Sequence, residues 1–264
     1  MSETLIRSDR GPVRVLTLNR PGARNALSRD LIRALYAALK ESDLDEAVGA
    51  VVLTGADPAF CAGLDLKEAA RDGMDYFAEF QTNNCIAAVA EMRTPVLGAI
   101  NGATFTGGLE IALGCDFLVA SECAVFADTH ARVGILPGGG MTARLPQVVG
   151  AAMARRLSMT GEVVDASRAE RIGLVTEVVA HDQLLSRTLA LAAQICEVPS
   201  TTMLGLKEIY VRGAAAVLGP ALAAEGDIAG SQKRDFAGLD ERFGNVSARN
   251  KSQIGGQPQV APTT

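Results

Sequence analysis

Four apolar runs in the first half of the chain show little alternation, and this constrains the fold more than any other feature. They are 13–18 (VRVLTL), 48–54 (VGAVVLT), 95–100 (PVLGAI) and 117–120 (FLVA). Runs of β-branched and aliphatic residues without a polar face predict strands buried on both sides. Most end in a turn residue: Asn19, Pro21 and Gly22 after the first, Gly55 to Pro58 after the second, Asn101-Gly102 after the third. Helical patterns lie between them. After the first, Ser28 offers an N-cap with Asp30 in the first turn, and Leu31, Leu35, Ala38 and Leu39 follow at helical spacing. After the third, 107–113 reads as a short helix. Strands separated by helices require crossover connections. The repeat of strand, turn and helix fits successive coils of a spiral, and it also fits a doubly wound sheet.

From about residue 183 the pattern turns helical. Leu184, Leu185, Leu189, Ala192 and Ala193 fall on or near one face, and 201–212 and 213–225 read as two further helices. A helical piece of about 70 residues is small for independence, so it is expected to dock on the core or on a neighbouring subunit. The last stretch (GGQPQVAPTT) is expected to be disordered.

Composition narrows the function. With 25 Lys plus Arg against 30 Asp plus Glu, the formal net charge of -5 gives no reason to expect nucleic acid or an anionic membrane as partner. The longest charge-free apolar stretch, 95–109, is too short to span a bilayer and is interrupted by Asn101 and glycines, so no membrane insertion is expected. The residues from Met1 to Arg10 have no apolar core for a secretory signal, and Glu3 and Asp9 suit a transit peptide poorly. The five cysteines form no C-x-x-C pair, and an odd count fits a reducing compartment. A cytoplasmic location is therefore expected. With two histidines, no H-E-x-x-H, no G-x-S-x-G and no Gly-Lys pair, the sequence gives no support to a zinc peptidase, serine hydrolase or P-loop NTPase. No metal is expected. Gly138-Gly139-Gly140 completes no dinucleotide fingerprint and reads as a turn at a helix start.

Two glycine-containing turns carry the chemistry. One is AFCAGLDL at 59–66, the other NGATFTGGLE at 101–110. Small residues let backbone N–H groups face a ligand. Gly107 stands at a predicted helix start, where free N–H groups and the dipole favour negative charge. Two converging N–H groups would stabilise an oxyanion, and the same turns could equally be tight connections without chemistry. Glu110 lies in an apolar helical segment (Leu109, Ile111, Ala112, Leu113), where a carboxylate is costly unless used or paired. Cys61 beside a histidine could in principle form an acyl-enzyme, but nothing in the sequence brings the two together. His181, at a predicted strand exit, is expected at the surface.

The segments 19–27 (NRPGARNAL), 60–66 (FCAGLDL), 100–110, Cys115-Asp116, 134–139 (GILPGG) and Gly173-Leu174-Val175 resemble the enoyl-CoA hydratase/isomerase (crotonase) superfamily. The motifs keep family order over nearly the whole chain. The resemblance implies a crotonase-like ββα spiral of α/β class. Residues 1–195 would form an acyl-CoA-binding core, 196–254 a helical trimerisation region and 255–264 a tail. It implies a homotrimer or dimer of trimers acting on an acyl-CoA thioester, as in fatty acid β-oxidation, with coenzyme A as part of the substrate and no separate cofactor. The amides of Leu64 and Gly107 would form the oxyanion hole. Arg24, Ala26, Ala62, Asp65, Leu66, Lys67, Gly108 and Pro137 would bind substrate.

By the same resemblance Glu110 is one of two glutamates that hydratases place around a water. The second falls about twenty residues on, and here that position is His130, within FADTH at 126–130. A histidine can also move protons, and hydrogen bonding to Asp128 or Glu110 would let its imidazolium protonate C2. The expected function is reversible hydration of a 2-enoyl-CoA. The alternatives are an isomerase or other crotonase-type reaction, or a non-catalytic acyl-CoA binder in which His130 only shapes the pocket. Acyl-chain selection is expected around 74–80 and 133–136.

Overall fold

In the computed structural model, which describes residues 4–232 and 238–255, the apolar runs become the strands of one sheet covered on both faces. The strands are β1 (Leu5–Arg10), β2 (Val13–Leu18), β3 (Ala50–Gly55), β4 (Ala59–Cys61), β5 (Val96–Ile100), β6 (Ala103–Phe105), β7 (Phe117–Ser121), β8 (Val125–Ala127), β9 (Val164–Asp165) and β10 (Glu177–Val179). The α-helices are α1 (Arg29–Leu44), α2 (Leu66–Asp72), α3 (Met74–Thr82), α4 (Cys85–Glu91), α5 (Gly107–Gly114), α6 (His130–Val133), α7 (Met141–Val149), α8 (Ala151–Thr160), α9 (Ala166–Arg171), α10 (Leu184–Cys196), α11 (Ser200–Ser231) and α12 (Leu239–Gly255).

The larger sheet runs β1-β2-β3-β5-β7-β10, antiparallel only between β1 and β2. The smaller runs β4-β6-β8-β9. This settles the choice between spiral and doubly wound sheet. In three successive coils the first strand (β3, β5, β7) joins the large sheet and the second (β4, β6, β8) joins the small one, each pairing in parallel with the equivalent strand of the next coil. The result is a ββα spiral, and the turns that follow β4, β6 and β8 are neighbours.

Burial on both faces explains the missing alternation. Leu16, Leu18, Val51, Leu53, Val96, Ile100, Leu118 and Ala120 point into the main core, with Leu31, Leu35 and Leu39 of α1. Their neighbours Val13, Val15, Ala50, Val52, Leu97, Ala99 and Val119 point the other way, onto Leu184 and Ala192 of α10. Ser28 caps α1, its hydroxyl accepting from the Leu31 amide at 3.3 Å. His181 lies at the surface as expected, its side chain half-exposed. Its ring bridges Ser121 Oγ (2.9 Å) and Asp57 (3.2 Å).

Ahead of the apolar runs, residues 5–10 form edge strand β1, paired with β2 over its full length. One local reading differs from the structure. Residues 201–212 and 213–225 belong to one continuous helix, α11. Gly213 does not break it because alanines follow and no capping residue interrupts the run. The expected tail over 255–264 lies, beyond Gly255, outside the described residues. Among the described residues no single helix is long and apolar enough to cross a membrane.

Candidate active site

The two glycine turns are packed backbone against backbone. A Cβ added to Gly63 (φ +94°) would lie 1.9 Å from Thr106 Oγ1, and one added to Gly108 would lie 2.1 Å from the Cys61 carbonyl oxygen. A Cβ at Gly107 would lie 3.7 Å from both Gly63 Cα and Leu64 Cδ2. Thr106, at the N-cap of α5, has φ +47°, a strained value for a residue with a branched Cβ, and Gly107 follows it as the first helical residue. A helix's first N–H has no acceptor inside the helix. Leu64 pairs with Leu27 through a single bridge, in which Leu27 N–H donates to Gly63 O and Asp65 N–H donates to Leu27 O. The Leu64 amide therefore faces away from that bridge. The turns thus bring the Leu64 and Gly107 segments against each other, with Leu64 at the wall of a cavity.

Residues 20–28 hold the first turn in place. Asn25 (φ +55°) donates to Ala56 O and Ala59 O at 2.8 and 2.6 Å, and the Ala62 amide donates to Arg24 O. The Tyr76 hydroxyl of α3 donates to Leu27 O and accepts from the Asp65 amide at 3.1 Å. Asp65 caps α2 through the Glu68 amide and pairs with Arg20 at 2.9 Å, so its carboxylate is already engaged structurally.

The cavity has a volume of about 710 Å³. Of the residues expected to bind substrate, Arg24, Ala26, Ala62, Asp65, Leu66 and Lys67 line it, as do Leu64, Thr106 and His130. Arg20 and Arg71 also line it, paired with Asp65 and Asp72, and Lys251 adds positive charge, while Val133, Ile135, Phe243 and Val246 supply apolar wall. Gly107, Gly108, Glu110 and Pro137 do not line it: Gly108 is pressed onto Cys61, and Glu110 lies behind His130. The 74–80 segment acts through Tyr76, Phe77 and Phe80, which pack on the main core, whereas Val133 and Ile135 reach the cavity.

Glu110, 3% exposed, rests on a turn that begins α7. Its Oε1 accepts from the amides of Gly139 (2.8 Å) and Met141 (3.3 Å). Gly139 permits this approach, since a Cβ there would meet Glu110 Oε2 at 2.5 Å. Glu110 Oε2 lies 3.8 Å from His130 Nε2, too far for a direct hydrogen bond; a water can touch both only from one side, at the apex of a triangle with them. His130 Nδ1 is 2.8 Å from Asp128 Oδ1, which also accepts the His130 backbone amide. That bond places the Nδ1 proton toward Asp128, and in the imidazolium the Nε2 proton faces Glu110.

Glu110 and His130 are shifted up and Asp128 down. Burial raises the Glu110 carboxyl above the ordinary glutamate range, against the pull of His130. Burial pulls His130 down, but Glu110 and Asp128 together hold it above the ordinary histidine value. Asp128, despite its own burial, is held below the usual carboxylate range by His130. Cys61 is different: burial pushes its thiol up to about 12, so it stays protonated and is no nucleophile.

The sequence reading passes over Glu225 and Arg144. Glu225 of α11 is 7% exposed and accepts from the Gly140 and Thr142 amides. Arg144 donates to Gly139 O at 2.6 Å. The signal for Glu225 is the one that singles out Glu110, a lone carboxylate in an apolar helical run (PALAAEG). Among the described residues no group of His, Cys, Asp and Glu is placed to hold a metal ion.

A model of the enoyl-CoA hydratase/isomerase family matches residues 9–235. A probable enoyl-CoA hydratase of Rhizobium meliloti is 44% identical over 214 residues, 80% of this chain and 82% of that one. A probable peroxisomal enoyl-CoA hydratase of Arabidopsis thaliana is 36% identical over 259 residues, 96% of this chain and 97% of that one. The crystal structure of an enoyl-CoA hydratase from Mycobacterium smegmatis superposes with a TM-score of 0.78 at 48% identity, covering 86% of this chain and 97% of that one.

Proposed function

This chain belongs to the enoyl-CoA hydratase/isomerase family, and from that premise we propose that it adds water reversibly across the double bond of a 2-enoyl-CoA. The observation that carries the reading is the buried Glu110–His130 pair, 3.8 Å apart, beside the adjoining turns of Leu64 and Gly107. The thioester oxygen accepts from the Leu64 and Gly107 amides. A water between Glu110 and His130 attacks C3 and gives its proton to Glu110. The C2=C3 electron pair moves onto the thioester oxygen, forming an enolate that the two amides stabilise. The enolate collapses as C2 takes the Nε2 proton of His130, giving a 3-hydroxyacyl-CoA. Transfer from Glu110 to His130 through a second water restores the starting charges.

The basic rim of Arg24, Lys67, Arg71 and Lys251 suits the phosphates of the coenzyme, and the Val133–Ile135 wall suits the acyl chain. The reading needs no cofactor beyond the coenzyme A of its substrate. The outer face of α11 exposes Leu206, Ile209, Tyr210, Val211 and Val217, which supports a homotrimer or dimer of trimers. A role in β-oxidation, in the cytoplasm, completes the proposal.

A second reading comes from His130 itself. With one carboxylate at the centre, Glu110 alone can move a proton between C2 and C4 of a 3-enoyl-CoA. A panel of enoyl-CoA thioesters differing in chain length and double-bond position separates the two. The hydratase reading expects loss of the 2-enoyl chromophore at a rate that collapses in Glu110→Ala. Hydration no faster than in a folded Glu110→Ala variant, with 3-enoyl substrates converted, replaces it with the isomerase.

A further inference from the structure

Helix α7 opens with backbone N–H groups that have no acceptor within the helix. Two buried carboxylates share them in alternation. Glu110 takes Gly139 and Met141; Glu225 takes Gly140 at 2.6 Å, Thr142 at 2.7 Å and the Thr142 hydroxyl. The two side chains arrive from different elements, α5 and α11, and meet at this one turn.

We infer that Glu225 is a positioning residue for the reaction: it fixes the 139–142 turn on which the Glu110 carboxylate rests, and its charge sets the pH range over which Glu110 accepts a proton. The inference rests on the reading of Glu110 as the base. A capping role alone needs only an acceptor at the head of α7, which Asn, Ser or Gln can provide. A full negative charge there is costly when another buried carboxylate uses the same turn. The groups facing Glu110 are His130 of α6, Glu225 of α11 and Arg144 of α7, with Asp128 behind His130 and Glu91 of α4 acting on Arg144. His130 favours the ionised Glu110, while Glu225 opposes it and raises its proton affinity. Arg144 is itself buried, and burial lowers it. The carboxylate of α11 therefore adds to burial in raising the proton affinity of Glu110, without touching substrate.

The test compares Glu225→Gln, Glu225→Asp and Thr142→Val in the full chain. Each is followed by the pH dependence of kcat/KM on a 2-enoyl-CoA and by 13C NMR titration of the Glu110 carboxyl, assigned by its loss in Glu110→Gln. Glu225→Gln removes the charge, so the acid limb and the Glu110 titration should both move down, by roughly half to one pH unit. Glu225→Asp and Thr142→Val loosen the turn but keep the charge. They should lower kcat several-fold with the acid limb in place. An unmoved Glu110 titration in Glu225→Gln overturns the proposal and leaves a helix cap. If Glu225→Gln does not fold, an unchanged kcat in both Glu225→Asp and Thr142→Val overturns it equally. The NMR readout is independent of turnover. A shifted titration in a protein that does not hydrate would therefore sink the hydratase reading and leave the coupling standing.

Discussion

The site has two halves built on different principles. The half proposed to face the thioester oxygen is made of main chain: the turns at 61–64 and 105–108, held by the fit of Gly63 under Thr106 and of Gly108 on Cys61. The half proposed to move protons is made of side chains from α5, α6 and α11, gathered around the head of α7. The first half tolerates little substitution at two points: Gly108 lies on the Cys61 main chain, and Gly63, at φ +94°, lies under Thr106 and the Phe105 carbonyl. The second is adjustable, because its geometry depends on hydrogen bonds and charges that another residue type can partly replace.

Substitutions can break or sharpen this contrast. The largest effect is expected in the backbone half. Gly108→Ala pushes a methyl onto the Cys61 carbonyl and should cost about 3 kcal/mol or more of stability, read by thermal melting, with activity lost as well. A stable, active Gly108→Ala enzyme would end the distinction. Next comes Glu110→Gln. The amide oxygen can still accept from Gly139 and Met141, so the fold should survive while hydration falls about 10²–10⁴-fold.

Asp128→Asn probes the same half more gently. The active form needs Glu110 ionised and His130 protonated, and both groups are raised above their ordinary values. Activity should therefore appear as pH rises through the Glu110 value and disappear as it passes that of His130. Removing the Asp128 charge withdraws support from the imidazolium, so the basic limb should move to lower pH while the acid limb stays nearly fixed. A basic limb that does not move would show that His130 titration does not limit the rate. The smallest effect is expected from Tyr76→Phe, which removes the hydroxyl bonding Leu27 O and the Asp65 amide. It should cost about 1 kcal/mol of stability and leave the pH profile unchanged.

The same contrast explains what could be read from the sequence. Glycines in a strand-turn-helix setting report local sterics, so both turns, the start of α5 and the turn before α7 were legible as short patterns. Glu110 was legible because an acid in an apolar helix is conspicuous. Glu225 presents the same pattern but sits far along the chain, and only the docking of α11 on α7 brings it to the turn. The cavity wall from Phe243, Val246 and Asn250 depends likewise on how α12 packs on α2 and α6. The small sheet was illegible for another reason: β4, β6 and β8 are three residues each, too short for any period to register.

Because β4, β6 and β8 pair in parallel, the segments leaving them stand in a row at the spacing of a sheet, about 4.8 Å per step. Leu64 follows the first, Gly107 the second and His130 the third. In the proposed reaction, oxygen recognition occupies two adjoining rungs and proton delivery the next, so the residue on the last rung can be exchanged without moving the two that would hold the thioester.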